Sequence, residues 1–322
     1  MEQIIPPVET TLLEHELGDY KFVRNTNNGH NKIYKFTAHD SPNLMREVGR
    51  LREITFRDAG GGSCKEVDID EFDIAKKPFQ QLIVWNPEHK EIVGGYRFIH
   101  GKNIPCDSEG CLHSATAELF SFSDKFIRDY LSYSIELGRS FVQPEYQPTV
   151  NLKKGMYSLD NLWDGLGAIV IDNPDVKYFF GKLTMYPDFN RTARDIILYF
   201  LALFFPDKER LLTPIVPISF ETDRNFLAGI FTGISYEENY KILIQQIRKY
   251  NEHIPPLVNA YMNLSPTMRT FGTSINAAFG NVEETGILIS IEDIYPVKKE
   301  RHLTTYMRRL SSLKNLKLRR KK

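Results

Sequence analysis

The sequence has 322 residues, of which 42% are hydrophobic and 25% are charged, and these proportions exclude a disordered or fibrous chain. Basic and acidic residues number 41 each, so the formal net charge is zero. Three cysteines are too few for a disulfide framework, and the first residues lack the basic start and apolar run of a secretory signal. The composition favours a globular protein, and we expect it in the cytoplasm.

The first part of the chain changes from a polar segment to a strongly periodic one. Residues 1–40 are polar and mixed, and we expect them to form an N-terminal extension. Residues 42–58 follow the possible N-cap Ser41 and repeat apolar side chains at helical spacing, which predicts an amphipathic helix. The glycines from Gly60 to Gly62 are expected to end this helix rather than to cradle a phosphate, because no strand precedes them.

The rest of the chain alternates between strand-like and helix-like patterns, which predicts an α/β protein with a mixed central sheet flanked by helices. Strands are predicted at 79–85, 91–99, 133–142, 176–184, 268–279 and 286–291. Helices are predicted at 123–131, 159–170, 192–204, 236–251 and 256–262. The most apolar run, residues 196–205, is about half the length of roughly 20 residues that a bilayer span needs, so we expect no transmembrane helix.

The C-terminal end is strongly basic. We expect one domain at 41–296, with a helical insertion at about 206–253, followed by a tail at 297–322. From residue 298 onward the tail has eleven basic residues and one acidic residue, so it carries about +10. Leu303, Met307, Leu310 and Leu313 recur at helical steps. Such a tail is either a solvated, disordered segment or a surface for anionic lipids or acidic proteins; nothing in the domain favours nucleic acid.

Four groups of residues in the first half are of types that carry chemistry. They are Arg50, Arg52 and Phe56 on the first helix; Asp68, Asp70, Glu71 and Asp73; Arg97; and the run Glu136-Leu137-Gly138-Arg139-Ser140. A glycine inside a strand is typical of a bulge or a close approach, and such a strand exposes backbone N–H groups to a ligand. Glu136 and Arg139 could instead form a structural ion pair, and the acidic cluster could be a solvated loop.

Two other motifs have less specific interpretations. Cys106, Cys111 and His113 have a wide gap and no clear fourth ligand, so we expect no metal site there. The aromatic residues of 178–180 and 200–205 are typical of a core, and some of them could also form the wall of an apolar pocket.

These residues resemble the signatures of two related families of the GNAT superfamily. Arg52 with Phe56, Asp70 with Asp73, Arg97, and Glu136 with Arg139 are similar to the pattern of acyl-homoserine-lactone synthases. A closer resemblance, over about residues 44–294, is to the amino-acid-lipid N-acyltransferases often labelled hemolysins, which include ornithine-lipid and glycine-lipid synthases. Its marks are Arg50-Leu51-Arg52, Glu136-Leu137-Gly138-Arg139-Ser140-Phe141-Val142, Leu162-Trp163-Asp164-Gly165, Tyr178-Phe179-Phe180-Gly181, Pro255-Pro256-Leu257-Val258-Asn259-Ala260-Tyr261 and Phe271-Gly272.

The resemblance implies a GNAT fold and transfer of a long-chain acyl group, commonly 3-hydroxylated, from an acyl carrier protein to the amine of an amino acid. Glycine is preferred over ornithine as acceptor, because the chain is more similar to the glycine-lipid members. The glycine-rich pyrophosphate loop of coenzyme-A-dependent relatives is replaced by Gln143-Pro144-Glu145-Tyr146-Gln147-Pro148, with only Lys153-Lys154-Gly155 left to meet a phosphate. This favours the carrier protein over coenzyme A as donor, and no bound cofactor is expected.

The chemistry then assigns roles to individual residues. Glu136 is the expected general base, with Asp73 in reserve, because thioester aminolysis needs a neutral amine. The acceptor site is expected to contain Arg52, Phe56, Asp70, Arg97 and Arg139, with Arg97 or Arg52 binding the carboxylate. Backbone N–H groups at Gly138, Ser140 and Phe141 are expected to hold the oxyanion. The expected acyl pocket is formed by Phe179, Phe180, Leu183 and Phe200.

Two alternative functions remain open at this point. One is a coenzyme-A-dependent GNAT acetyltransferase that acts on another small amine, and the missing glycine-rich loop counts against it. The other is a non-enzymatic membrane-active protein, and the lack of a spanning segment counts against that. For the enzyme we expect contact with the acyl carrier protein or with an anionic surface on the inner face of the membrane, through the basic tail.

Overall fold

The computed structural model describes residues 1–107 and 112–308. Its helices are α1 Thr10–Glu16, α2 Pro42–Asp58, α3 Glu71–Ile74, α4 Asp124–Asp129, α5 Leu152–Gly155, α6 Ser158–Asp172, α7 Arg191–Phe204, α8 Arg224–Ile230, α9 Tyr236–Arg248, α10 Pro256–Met262 and α11 Pro296–Lys299, the last continued by a π-helical turn over Glu300–Thr304. Its strands are β1 Phe22–Asn25, β2 Lys32–Phe36, β3 Gln80–Asn86, β4 Glu91–His100, β5 Phe120–Phe122, β6 Ser134–Val142, β7 Tyr178–Met185, β8 Leu212–Pro214, β9 Arg269–Asn276 and β10 Val282–Ser290.

Eight strands form one mixed sheet in the order β1-β2-β3-β4-β6-β7-β10-β9, and β5 and β8 form a separate two-stranded sheet. Neighbouring strands of the large sheet are antiparallel except β6 and β7, which are parallel. Helices cover both faces of this sheet, so the α/β class predicted from the sequence is confirmed. The helices α8 and α9 pack against α7 through Leu227 and Leu243 and form the helical addition in the second half.

The alternation of side chains along the strands gives the two faces of the sheet different partners. On one face, Ile83 and Trp85 of β3 pack against Leu44 and Val48 of α2. On the other face, a larger core joins residues of β3, β7 and β10 to α6, α7, α9 and α10. Each face is therefore sealed by a helix layer, and a group placed on one face is separated from the other by the sheet itself.

Two strands within the first forty residues, β1 and β2, belong to the sheet, which differs from the extension expected from the composition of this segment. Strand β2 pairs with β3 over five residues, and β1 pairs with β2, so both extend the sheet at its edge. Ile33 and Phe36 of β2 are buried, but lysines flank them on a segment of only five residues. A strand this short offers too few alternating positions for the period to be visible in the sequence.

Helix α2 has the bounds predicted for it, and the glycines after it end it as expected. The Gly61 N–H donates to the Phe56 carbonyl at 2.8 Å, and Gly60 and Gly62 both have positive φ, a conformation in which glycine has no Cβ penalty. No helix within the described residues is long and apolar enough to cross a membrane.

We expect Gly181→Ala to destabilise the protein by about 1–3 kcal/mol, because the new methyl group would overpack the junction of β6 and β7. A Cβ at Gly181 would lie 2.4 Å from the Leu137 carbonyl oxygen, and both residues belong to paired strands whose backbones cannot yield cheaply. The matched control is Gly229→Ala in α8, where a Cβ meets nothing within 4 Å. Urea unfolding of both variants checks this; equal stability of Gly181→Ala and the wild type would contradict it.

Candidate active site

Strands β6 and β7 separate halfway along the sheet and leave an opening in it. Their parallel pairing covers Ser134 to Leu137 of β6 and stops there, so no residue of β7 pairs with β6 beyond Leu137. The β4–β6 ladder is also irregular at this point, with an extra residue on β6, and Arg139 has a φ of 50°. The bulge expected from the glycine in Glu136-Leu137-Gly138-Arg139-Ser140 is confirmed. The β7-facing edge of β6 therefore presents backbone groups without a strand partner.

A cavity passes through this opening, and its empty volume is about 990 Å³, including its mouth. On the α2 face of the sheet its lining is mostly polar: Arg97, Glu136, Gly138, Arg139, Lys182, Thr184 and Glu284. On the opposite face its lining is mostly apolar: Tyr96, Leu159, Leu162, Trp163, Leu166, Leu257, Tyr261, Ile287 and Ile289. The cavity therefore joins a polar compartment to an apolar one through the sheet.

Glu136 faces the polar compartment, and one of its two carboxylate oxygens accepts hydrogen bonds while the other accepts none from the described residues. Its Oε1 accepts hydrogen bonds from the backbone N–H and the hydroxyl of Thr116, at 2.8 and 2.7 Å. Its Oε2 is buried and accepts no hydrogen bond from the described residues. Burial raises the pKa of the Glu136 carboxyl, although Thr116 and the charge of Lys182 act in the opposite direction. A buried carboxylate with a raised pKa and a free oxygen has the properties of a general base.

Asp73, expected as the reserve base, does not line the cavity and lies at the centre of an ion-pair network. Its carboxylate is 3.2 Å from Arg52 and 3.1 Å from Arg97, and it accepts from Gln81 at 2.8 Å. Burial alone would raise the pKa of Asp73, but Arg97 and Arg52 outweigh it and hold that pKa well below its usual range. A carboxylate this acidic and this fully paired is a poor proton acceptor, and its contacts position the two arginines.

Of the three arginines expected in the acceptor site, Arg97 and Arg139 line the cavity and Arg52 does not. Arg52 is fully buried and donates to Gln81 at 2.5 Å behind the cavity wall, so the geometry does not favour it as a substrate ligand. Arg97 lines the cavity, and its Nη1 lies 2.5 Å from Oδ1 of Asp70. Asp70 itself lies outside the lining and is the N-cap of α3, where it accepts from Phe72 and Asp73. Arg97 is therefore better placed than Arg52 to bind an acceptor carboxylate.

Arg139 lies in the bulge and projects over an aromatic side of the cavity. Its guanidinium is 4.0 Å from the ring centroid of Phe279, which packs edge-on against Phe56, and both rings line the cavity. Its Nε is 2.8 Å from the buried Asp68, and its Nη2 is 3.5 Å from Asp70. The alternative that Arg139 pairs with Glu136 is therefore wrong, and the acidic cluster is a structural partner of the arginines rather than a solvated loop.

Two charged residues of the polar compartment, Lys182 and Glu284, were not expected from the sequence. Lys182 is mostly buried, lies 2.9 Å from the Glu284 carboxylate and donates to the Ala115 carbonyl at 2.6 Å. Glu284 also accepts from Asn276 at 3.3 Å. The sequence feature that could have identified Lys182 is its charge inside an otherwise apolar strand, where it directly follows Tyr178-Phe179-Phe180-Gly181. Such a residue usually faces a polar site when the strand is central.

The apolar compartment differs in part from the expected acyl pocket. Phe179 and Phe180 line the cavity, but Leu183 and Phe200 lie in the hydrophobic core outside its lining. Phe200 packs against Phe204 and Phe231 in this core. Helices α6 and α10 supply the walls instead. Sequence periodicity identifies which helix face is buried, but it does not identify which of two buried helices borders a cavity.

The residues considered for a metal site are Cys106, Cys111 and His113. Cys111 lies outside the described residues, and Cys106 and His113 are exposed. In the described parts of the chain, no group of three or more histidine, cysteine or carboxylate side chains could hold a metal ion.

Comparisons with known proteins identify a matching domain family and two similar relatives. The family described as the acetyltransferase (GNAT) domain matches residues 51–154. A glycine N(alpha)-acyltransferase of Phocaeicola vulgatus is 54% identical over 308 residues, which is 96% of this chain and 94% of the relative. A glycine N(alpha)-acyltransferase of Bacteroides thetaiotaomicron is 54% identical over 307 residues, which is 95% of this chain and 91% of the relative.

Two solved structures are also similar. The AHL synthase LasI has a TM-score of 0.41 and 10% identity, with 85% of this chain and 95% of LasI covered. FeeM, an N-acyl amino acid synthase from uncultured soil microbes, has a TM-score of 0.34 and 8% identity, with 85% of this chain and 97% of FeeM covered.

Proposed function

This chain belongs to the glycine N(alpha)-acyltransferase family of GNAT-domain acyltransferases, and we propose that it transfers a long-chain, 3-hydroxylated acyl group from an acyl carrier protein to the amine of glycine. Membership of this family makes the protein an acyltransferase, against the non-enzymatic alternative. The acceptor, the donor and the hydroxyl group on the chain are the parts that we propose. The product would be an N-acyl amino acid for lipid synthesis.

The observation that carries the proposal is the cavity through the sheet at the β6–β7 opening. An acyl thioester has an apolar chain and a polar reacting carbonyl. The apolar compartment of the cavity matches the chain, and the adjoining polar compartment matches the carbonyl. With the chain among Leu162, Leu166 and Ile287, the thioester carbonyl would lie at the opening, beside the free edge of β6 at Gly138. Backbone N–H groups in that position would bind the oxyanion that forms during attack.

The polar compartment suits an amino-acid acceptor. Arg97 would bind the carboxylate of glycine, because its guanidinium presents paired donors, and Arg139 flanks the same space. Glu136 would take one proton from the glycine ammonium at its free Oε2. The neutral nitrogen would then attack the thioester carbon. When the tetrahedral intermediate collapses, the carbon–sulfur bond breaks, and the thiolate leaves with the proton that the nitrogen loses. Ser140 and Thr184 line the opening and could bond a 3-hydroxyl group.

The segment after β6 supports a carrier protein rather than coenzyme A as donor. Pro144–Tyr146 forms a short 3₁₀ turn, in which Tyr146 donates to Glu91 at 2.9 Å. Gln147 donates to the Val142 carbonyl at 2.9 Å. These contacts fix the turn with its own side chains instead of a row of glycine N–H groups. A nucleotide pyrophosphate needs such a row, whereas the pantetheine arm of a carrier protein carries one phosphate.

The direct test is the reaction itself. Purified protein would receive 3-hydroxyacyl and unsubstituted acyl thioesters, each on carrier protein and on coenzyme A, with glycine, ornithine or alanine as acceptor. We expect N-acylglycine from the carrier-protein donor as the dominant product, identified by mass spectrometry. Absence of an N-acyl product with every pair would overturn the proposal, and equal rates with both donors would overturn the carrier-protein part alone.

Leu257→Trp should shift the donor preference toward shorter acyl chains. Leu257 is half-buried on α10 and lines the apolar compartment, so an indole there would occupy space meant for the chain. Each methylene group that is no longer buried costs about 0.8 kcal/mol, which is about fourfold in affinity. Competition between thioesters of different lengths measures the shift. Leu203→Trp is the matched control, because Leu203 of α7 is exposed and outside the lining; an equal shift in both variants would contradict the assignment.

A further inference from the structure

The charged side chains that line the polar compartment differ in whether they can still bind a charged ligand. Each of the three cations lies close to a carboxylate: Arg97 is 2.5 Å from Asp70, Arg139 is 2.8 Å from Asp68, and Lys182 is 2.9 Å from Glu284. Glu136 differs, because its Oε1 accepts from Thr116 and its Oε2 has no hydrogen-bond partner among the described residues. Of the two carboxylates that line the described cavity, Glu136 is therefore the one with an oxygen available to an ammonium group.

The Lys182–Glu284 ion pair is fixed by the pairing of strands β7 and β10. Lys182 is opposite Gly286 and Glu284 is opposite Thr184, so the two charged residues are diagonal neighbours on the same face of the sheet. Their side chains are only 11 and 5% exposed, and the Lys182 ammonium also donates to the Ala115 carbonyl at 2.6 Å. A buried ammonium held by two acceptors stays in place, and it prevents Glu284 from binding another cation.

A second ammonium group on the acceptor would find no available carboxylate in this compartment. An amino acid with its α-amine at Glu136 and its carboxylate at Arg97 matches both of its own charges. Glu284 is bound to Lys182, and Glu118, the carboxylate within electrostatic range of Lys182, is exposed and outside the lining. A buried ammonium without a partner is strongly unfavourable. An acceptor with a cationic side chain is therefore disfavoured, and glycine is not.

We propose that Lys182 is a specificity-determining residue which, through its ion pair with Glu284, excludes amino acids with a cationic side chain, such as ornithine, from the acceptor site. The inference rests on the proposed function, because it takes Glu136 and Arg97 as the groups that bind the acceptor. The selection acts on charge and not on size alone. Norleucine, which has a methyl group where ornithine has its side-chain ammonium, brings no second charge into the compartment and is the neutral reference.

Lys182→Met tests this assignment, because it removes the ammonium, keeps an unbranched side chain and leaves Glu284 available to the acceptor. With one donor thioester, kcat/KM for ornithine relative to glycine should rise by about tenfold or more, the usual contribution of a hydrogen bond to a charged group. A general change in turnover cancels in this ratio. The norleucine-to-glycine ratio should not rise with it. The double variant Lys182→Met, Glu284→Gln also removes the carboxylate and should lose the gain for ornithine. Lys177→Met is the matched control, since Lys177 is exposed just before β7 and outside the lining.

The outcomes separate this inference from the proposed function. If the wild type makes N-acylglycine and Lys182→Met leaves the ornithine-to-glycine ratio unchanged, the inference fails and the proposed function stands. An equal rise for norleucine and ornithine would mean that Lys182 limits the size of the acceptor, and it would also overturn the inference. Absence of an N-acyl product from the wild type with every acceptor would overturn both. If Lys182→Met does not fold, Lys182→Gln, which keeps a donor for the Ala115 carbonyl, is measured in the same way.

Discussion

Replacing Glu136 with glutamine should lower kcat for N-acylglycine formation by about 10²–10⁴-fold, which is the usual contribution of a general base. The amide oxygen can still accept the two hydrogen bonds from Thr116, and the amide nitrogen takes the place of the unpartnered Oε2. The variant also removes a buried carboxylate, so its melting temperature should not fall. Single-turnover kinetics with glycine and a carrier-protein thioester measure the loss.

The control for this variant is Glu145→Gln, an exposed carboxylate just after β6 and outside the cavity lining, which should keep wild-type turnover. Full activity of Glu136→Gln would remove Glu136 as the base. A loss of activity together with a loss of melting temperature would point to a structural role instead.

The pH dependence of kcat/KM provides a second test of Glu136 as the general base. A general base acts in its deprotonated form, so kcat/KM should fall as the pH falls through the pKa of Glu136. Burial raises that pKa, so the fall should begin at a higher pH than an ordinary carboxyl group would cause. The Glu136→Gln variant should lose this acidic limb, whereas Glu145→Gln should retain it.

The long helices and strands could be predicted from the sequence, and the short edge strands could not. Helix α2 and strands β3, β4, β6 and β7 were expected within a few residues of their bounds, because each is long enough for its helix-like or strand-like composition to be recognised. Strands β1 and β2 were missed, since their pairing with β3 depends on the tertiary structure and not on local composition. Short edge strands carry little sequence signal of their own.

The candidate site was predictable as a set of residue types but not as a geometry. The family resemblance identified Arg97, Glu136 and Arg139, and all three line the cavity. It could not tell that Arg52 and Asp73 lie behind the wall, because an arginine that binds a substrate and one that supports another side chain look the same in a sequence. Partners separated by long stretches of chain, such as Glu136 with Thr116, depend on how the strands and loops assemble.

The second large effect that we expect is on stability, from Asp73→Asn. This change leaves Arg52 and Arg97, both fully buried, without their shared carboxylate, and removing one partner of a buried ion pair typically costs about 3–5 kcal/mol. Because the pKa of Asp73 is depressed in the folded state, its contribution is present above its unfolded value of 3.8 and is lost as the pH falls below that value toward the folded pKa. The variant should therefore be less stable at neutral pH and should lose less stability on acidification than the wild type.

Urea unfolding at neutral pH and below pH 4 measures both parts of this prediction. Asp129→Asn is the matched control, since Asp129 pairs with Arg128 on the exposed surface and its loss should leave the transition unchanged. The same variants separate the two roles considered for Asp73. If Asp73 only positions Arg52 and Arg97, the folded fraction of Asp73→Asn should retain the acidic limb of kcat/KM, because that limb belongs to Glu136. Loss of that limb in a variant as stable as the wild type would make Asp73 the base and contradict the network described here.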